Sequence, residues 1–445
     1  MKISIIMPSL NVVEYIDECI KSVLNQTLTD IEIICVDAGS EDGTWEKLEQ
    51  YASNDMRVKL IRSERKSYGY QMNLGIKAAK GEYIGIVETD DWVTPDMFQK
   101  LYTLTKDTDV DFVKSGYKCF FDKNDKRYCA EQKNFALFKV REKVIDLKEQ
   151  EEFRLADINH IWSGIYRRSF LVDKELWFNE TEGASFQDTS FSVLVGMLSG
   201  KCIYTSGSYY YYRTDRPESS VKSSKKYKCV IDEMNYINAY MEGHGLNNWA
   251  NQLKIAQLKL ATYSWNMNRL TDESRNLFRN EIINEMKDYL PGGKYNKALT
   301  NCQLQVVDQL IDLEKLKIVE KTRELDKKNI IDIFRCSQNK GKLVFVGAGC
   351  NFRKFLYYEE LSKTTVIKAV CDNNKKLQGT IISKYEIKSV ESAVEENIDN
   401  LWIVSSRAYA EELIAQLKSL GVPDKKIIRI QYLPEPIEFL YDLVV

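Results

Sequence analysis

A chain of 445 residues with 44% hydrophobic content is long enough for two or three domains and supplies ordinary buried cores. Lys and Arg number 63 against 65 Asp and Glu, so no global field draws the chain to nucleic acid or to an acidic membrane surface. The opening Met1–Pro8 has one charge and too short an apolar run for a signal peptide, and no stretch approaches ~20 apolar residues, which predicts a cytoplasmic protein without a membrane span. The 10 cysteines form no CxxC pair, and Cys35, Cys202 and Cys371 lie in apolar runs, as reduced structural thiols do. With His160 and His244 the two histidines, acid–base chemistry falls to carboxylates.

Residues 2–92 alternate between two periods: strand Ile3–Met7, helix near Glu14–Asn25, strand Glu32–Val36, helix near Thr44–Ala52, strand Val58–Ile61, helix near Met72–Ala79, and a strand from Tyr83 to Val87. Such alternation predicts βαβ units and a parallel sheet whose strands share one carboxyl edge. That edge carries Pro8-Ser9-Leu10-Asn11, then Asp37-Ala38-Gly39-Ser40, then a basic loop to Lys66, and finally Glu88, Asp90 and Asp91. Open α/β sheets bind ligands there, and a nucleotide diphosphate needs such a mixture of polar anchors, bases and carboxylates. Thr94-Pro95-Asp96 predicts the cap and first turn of the next helix. Clustered carboxylates repel one another unless a hard cation neutralises them, and an oxygen-only set favours Mg²⁺ or Mn²⁺; the alternative is a solvated acidic turn.

Beyond Asp109 the pattern loosens, with a strand at Phe112–Tyr117, charge at Asp122–Lys126, a helix near Asp188–Ser199 and a strand Ile203–Tyr212 that ends in four tyrosines, arranged more as a wall than a core. Lys225–Phe334 is helical, broken at Gly243-His244-Gly245 and Pro291-Gly292-Gly293, and shows no catalytic constellation. A second alternation starts at Lys342 and reads as a small Rossmann-like domain. Its Gly347 and Gly349 match two glycines of a dinucleotide fingerprint and Asp372 lies at the ribose offset, but Phe352 replaces the third glycine. The predicted organisation is α/β, with domains 1–222, 223–338 (a helical connector) and 339–445.

Six motifs in order complete the pattern: Ile6–Asn11, Ser22–Thr27, Val36–Thr44, Met72–Ile76, Gly81–Ile84 and Glu88–Asp91. On these the first ~220 residues resemble inverting family 2 glycosyltransferases of GT-A fold, in particular bacterial enzymes of capsular or other surface polysaccharide synthesis. The resemblance implies that Pro8, Ser9 and Asn11 line the nucleotide site, that Asp37 faces the base, and that Asp90 and Asp91 are DxD-type acids serving ribose and metal, with Glu88 in the first acid position. Ala38 departs from the commoner Asp-Asp-Gly-Ser. Glu182–Thr189 is similar to the family's Glu-Asp segment, with Gln187 in the Glu place, and makes Asp188 the general base; an acid favouring its helix N-terminus is the plainer alternative. Arg213, followed by Ser219-Ser220, resembles the segment over the diphosphate, though an ordinary ion pair fits it as well. Lys66 is a second phosphate contact or a solvated base, and Asn73 a sugar or loop contact or a helix cap. Trp162 is an acceptor-side indole or a core residue.

The implied partners are a nucleotide-sugar donor, UDP-sugar favoured, and a saccharide acceptor that can be lipid-linked, with Mn²⁺ or Mg²⁺ as cofactor. Reaction at the inner face of the cell membrane would then require only peripheral association. Two other readings stand beside this one: a noncatalytic nucleotide-sugar or glycan-binding assembly protein, and a dinucleotide-using sugar-nucleotide enzyme built on the carboxyl-terminal domain.

Overall fold

A computed structural model describes residues 1–132, 142–147, 160–184, 186–217, 223–335, 343–362, 366–406 and 409–444. The chain divides into two units, Met1–Asp312 and Leu313–Val445. Residues 223–312, which the sequence sets apart as a connector, thus fall inside the first unit, and the helix that follows them falls inside the second.

In the first unit, β1 (Ile3–Ser9) and β2 (Ile31–Asp37) are buried at every position, as strands of a parallel sheet covered on both faces must be. They alternate with α1 (Ile16–Leu24), α2 (Thr44–Asn54), β3 (Val58–Arg62), α3 (Tyr68–Ala78) and β4 (Tyr83–Ile86). β1 pairs in parallel with β2 on one side and with β4 on the other, and β2 pairs in parallel with β3. The order 3-2-1-4 therefore reverses at β1, which opens a crevice beside its carboxyl end.

Next come β5 (Trp92–Val93), α4 (Met97–Thr105), β6 (Phe112–Lys123), β7 (Lys126–Gln132), β8 (Val144–Asp146), β9 (Gly164–Arg167), α5 (Arg168–Asp173), α6 (Gln187–Leu198) and β10 (Lys201–Arg213). β9 lies antiparallel between β4 and β6, and β10 runs parallel to β6. Two reversals cancel, so β6 and β10 point the same way as β1–β4 and end on the same edge. Gly164 permits the β9–β6 approach, since a Cβ there would stand 2.2 Å from the Val113 carbonyl oxygen. The charged stretch at Asp122–Lys126 is the β6–β7 hairpin turn, with Asn124 and Asp125 at φ 51° and 57°.

One local expectation is corrected. Thr94 does not cap the next helix: its N–H donates to the Tyr209 carbonyl at 2.8 Å because Trp92–Val93 is drawn into the sheet against β10. Asp96 takes the cap position and α4 begins at Met97.

The helices α7 (Cys229–Gly243), α8 (Trp249–Arg269), α9 (Asp272–Ile282) and α10 (Asn301–Ile311) complete the unit. On α7, Val230, Met234, Ile237 and Met241 are buried at helical spacing. Buried on the same helix, Glu233 accepts from Asn179 at 3.0 Å and from Ser190 of α6, tying the helical part to the sheet part.

The second unit contains α11 (Leu313–Arg335), β11 (Leu343–Val346), α12 (Cys350–Ser362), β12 (Ile367–Cys371), β13 (Ile381–Ile382), β14 (Tyr385–Lys388), α13 (Val390–Asn397), β15 (Leu401–Val404), α14 (Ala410–Ser419), β16 (Ile427–Arg429) and α15 (Pro436–Val444). Its sheet runs β13-β14-β12-β11-β15-β16, parallel apart from the β13–β14 pair. Alternation along β11 sends Leu343 and Phe345 into one core with Phe352, Phe355 and Phe439, and Val344 and Val346 into another with Trp402 and Leu417. Phe352, the residue that breaks the fingerprint, is fully buried. The Asp372 carboxylate accepts from the N–H groups of Ala348 and Asn374, each at 2.7 Å, and so closes the turn beside Gly347. Among the described residues, no helix is long and apolar enough to cross a membrane.

Candidate active site

The loops after β1 and β2 are stitched to each other. Asn11, at φ 51°, donates its N–H to Ser40 Oγ and accepts the Glu41 N–H on Oδ1, both at 2.9 Å. Asp37 is fully buried; one oxygen accepts from Gly39 and Ser40 N–H at 2.9 Å, and the other accepts from the hydroxyls of Ser40 and Ser9. Its carboxylate therefore shapes the turn, and the Ser9 hydroxyl is directed into that same network. From α3, Gln71 donates to the carbonyls of Ser9 and Val36 at the reversal point, a role the sequence does not announce. Pro8 contributes its carbonyl, which accepts from the Thr89 hydroxyl at 2.8 Å.

At the tip of β4 the three acids take different partners. Glu88 accepts from the Tyr68 hydroxyl at 2.6 Å, and its N–H donates to the Tyr210 hydroxyl. Burial pushes its carboxyl up to about 8 despite that bond, helped by the charges of Asp90 and Asp188. Asp91, 1% exposed, accepts from the Tyr210 hydroxyl and from the Arg213 N–H, each at 2.7 Å. Its carboxyl is raised well above the usual range by burial and by Asp90. Asp90 pairs with the Arg216 guanidinium at 2.9 Å. Tyr210 reaches two of these acids because β10 ends on the edge where β4 ends.

Asp188 arrives from the first turn of α6. Gly183 pairs with the chain at 66–68: its N–H donates to the Lys66 carbonyl at 2.7 Å and its carbonyl accepts the Tyr68 N–H at 3.0 Å. Phe186 then turns the chain at φ 67° into the helix. Burial raises the Asp188 carboxyl to about 6, opposed by the N–H groups of Thr189 and of Asp188 itself at the helix N-terminus. The charge of Asp188 also acts on Glu88, Tyr68 and Tyr212, so base candidate and strand-end acids share one electrostatic environment.

The sequence profile described as "Glycosyl transferase family 2" matches residues 4–171. Glycosyltransferase GlyG of Streptococcus pneumoniae serotype 4 is 30% identical over 223 residues, which is 47% of this chain and 70% of GlyG. The chain belongs to glycosyl transferase family 2. It is also 35% identical over 234 residues to the uncharacterized glycosyltransferase EpsJ of Bacillus subtilis (strain 168), covering 52% of this chain and 65% of EpsJ. Among solved structures, S. aureus TarS 1–349 in complex with UDP has 18% identity and a TM-score of 0.43, over 70% of this chain and 90% of that one.

For a family 2 chain the remaining residues fall as follows. Arg213 is braced: its guanidinium meets Glu18 at 3.2 Å, Asp122 at 3.3 Å and Asp215 at 3.4 Å, and its side chain is 8% exposed. A guanidinium with three carboxylate partners is compensated already, as the ion-pair alternative for Arg213 has it; the guanidinium that meets the Asp90 carboxylate is that of Arg216, which sequence reasoning missed. Asn73 caps nothing; it lies inside α3, where Ser67 is the cap, and it binds the Phe178 backbone through both ends of its amide. Lys66 is largely exposed, 3.9 Å from Glu41. Trp162 is 7% exposed, its indole stacked on Tyr210 and Tyr212 at centroid distances of 4.2 and 5.3 Å, inside the tyrosine wall. Gln187 donates to Thr181 and Gly183, holding the chain that leads into α6. Ser185, Ser219 and Ser220 lie outside the described residues.

No group of three or more His, Cys, Asp or Glu side chains among the described residues is arranged to hold a metal ion. Mg²⁺ and Mn²⁺ commonly take one or two carboxylates and complete their shell with substrate phosphates and water. Asp90 and Asp91 supply that number; burial is the main reason the Asp91 carboxyl is raised, and the neighbouring Asp90 charge, the second cause, is one that a dication would relieve. The oxygen-only set fits such an ion.

Proposed function

We propose that this chain transfers a sugar from a nucleotide diphosphate, UDP-sugar favoured, to a saccharide hydroxyl with inversion at the anomeric carbon. The observation that supports it best is the gathering of Glu88, Asp90 and Asp91 on one sheet edge with Arg216 and Asp188. In this reading Pro8, Ser9, Asn11 and Asp37 frame the nucleotide pocket mainly through the backbone they shape. Arg216 meets the diphosphate, exchanging its Asp90 partner for phosphate oxygens. Asp188 takes the proton from the acceptor hydroxyl as that oxygen bonds to the anomeric carbon; the bond from that carbon to the diphosphate oxygen breaks on the opposite face. Asp90 and Asp91 would hold a Mn²⁺ or Mg²⁺, whose charge lowers the cost of the leaving diphosphate.

Tyr210 holds Asp91 in place and Tyr68 orients Glu88. Burial raises the Glu88 carboxyl to about 8, which limits the negative charge it sets beside Asp188. The product would belong to bacterial surface polysaccharide synthesis, at the inner face of the cell membrane, on a lipid-carried acceptor. A dinucleotide-dependent activity of the second unit has less support, because Asp372 is engaged in its own turn.

The experiment is a melting-temperature panel of nucleotide sugars with and without Mn²⁺, since a ligand that binds only the folded chain raises its melting temperature. Transfer to sugar acceptors is then measured. The reading expects a metal-dependent shift with a UDP-sugar, and transfer that disappears in Asp188→Asn and Asp91→Asn. Transfer that survives Asp188→Asn would reject the base assignment, and the absence of any nucleotide-sugar shift would reject the donor class.

A further inference from the structure

The helical part of the first unit carries a half-open pocket of about 180 Å³ between α7, α8 and the turn that follows α9. That is the liquid volume of about six water molecules, room for one sugar ring. Its floor holds Lys259, 7% exposed and ion-paired to Glu285, whose other oxygen accepts from the Tyr263 hydroxyl at 3.2 Å. At the rim, Lys294 donates to Gln252 Oε1 at 2.7 Å and Gln252 donates to Asn247 Oδ1 at 2.8 Å. Tyr295 closes one side, stacked at 5.8 Å on Trp249, which is 50% exposed.

Lining chemistry narrows the occupant. Two ammonium groups and the carboxylates of Glu285 and Asp288 balance, so neither an anion nor a bare cation is favoured. A phosphate wants donors alone, and a dication wants oxygens alone. Here the wall carries both donors and acceptors: ammonium, carboxylate, and amides that are both at once. A sugar hydroxyl donates and accepts together, and the apolar face of a pyranose suits an aromatic side wall. We infer that this pocket is a binding subsite for one neutral sugar residue. Sugar binding here needs nothing from the carboxylate edge, and it would let the chain hold a glycan away from the reacting hydroxyl.

The test uses the full chain and saturation-transfer difference NMR with methyl β-D-glucopyranoside, methyl β-D-galactopyranoside and N-acetylglucosamine, each with UDP present in excess. Asn247 and Lys294 are exposed, so Asn247→Ala and Lys294→Ala should fold, as the melting temperature of each will record. At least one neutral sugar should receive saturation from the wild type, and each variant should bind it about tenfold more weakly. The UDP-induced melting shift should not change. Equal transfer in wild type and variants, or none from any of the three sugars, overturns the subsite. Inorganic phosphate that displaces the sugar, read as loss of its saturation transfer, overturns the neutral-sugar assignment. Because UDP binding is read separately, loss of the subsite and loss of the donor site are distinguishable.

Discussion

Asp188 is the group whose protonation gates the proposed transfer. Its carboxyl sits near 6 because burial disfavours the charge more than the helix N-terminus favours it. A base must be ionised to accept the acceptor's proton, so kcat should fall as pH drops through about 6 and level off above it. Asp188→Asn should lower kcat by about a hundredfold or more with UDP affinity retained; calorimetry beside a transfer assay separates the two. The arginines divide in the opposite manner. Arg216→Met should weaken UDP binding about tenfold by calorimetric titration. Arg213→Met should leave UDP affinity within about threefold, and cost about 1–2 kcal/mol in urea unfolding because its carboxylate partners are half exposed. If Arg213→Met alone lost UDP, the two roles would be exchanged. The three acids beyond β4 are legible in the sequence because they fall within the four residues Glu88–Asp91. Arg216 is not, because its meeting with Asp90 depends on β10 ending beside β4.

At the level of elements, the site hangs on the docking of residues 66–69 against 178–183. Gly69 opens α3 where a Cβ would stand 1.9 Å from the backbone carbonyl oxygen of Asn179, so nothing flexible can yield. Gly69→Ala should destabilise the chain by about 2 kcal/mol in urea unfolding. It should also lower kcat, because the displaced segment carries Tyr68 to Glu88 and pairs with Gly183 ahead of Asp188. Equal kcat in that variant would show that the segment does not position the base. Hydrophobic period alone locates α3 and β4, but α3 begins four residues before the predicted Met72, at Tyr68. Its first turn faces residues more than a hundred positions away, and no local pattern encodes that contact.

Across the first unit, two buried groups set opposite pH limits on stability. Burial pushes Glu233 up to about 8 from 4.5, so between those values the folded chain holds a proton that the unfolded chain has released, and stability falls as pH rises. Burial, and secondarily the Lys114 charge, pushes His160 down to about 3 from 6.5; there the unfolded chain holds the extra proton, and stability falls as pH drops. Glu233→Gln mimics the protonated acid. From about pH 5 to about pH 8, urea unfolding should show its stability declining at least about 2 kcal/mol less than the wild type's. An unchanged slope would mean that Glu233 is ionised in the folded chain.

The sequence by itself determined the alternation of the first four strands, the acid-tipped end of β4, the second smaller sheet and the burial of Cys35, Cys202 and Cys371, because each follows from residue type and local period. Tertiary structure alone decided that β9 reverses between β4 and β6 and that β10 therefore delivers Tyr210 and Arg213 to Asp91. It also decided that Arg213 is braced while Arg216 faces Asp90, and that a helical stretch without a motif supplies Glu233 behind α6. These are contacts between segments far apart in the chain. Their energy depends on which strands share an edge and which side chains lose water together, and neither quantity is written in the neighbourhood of any one residue.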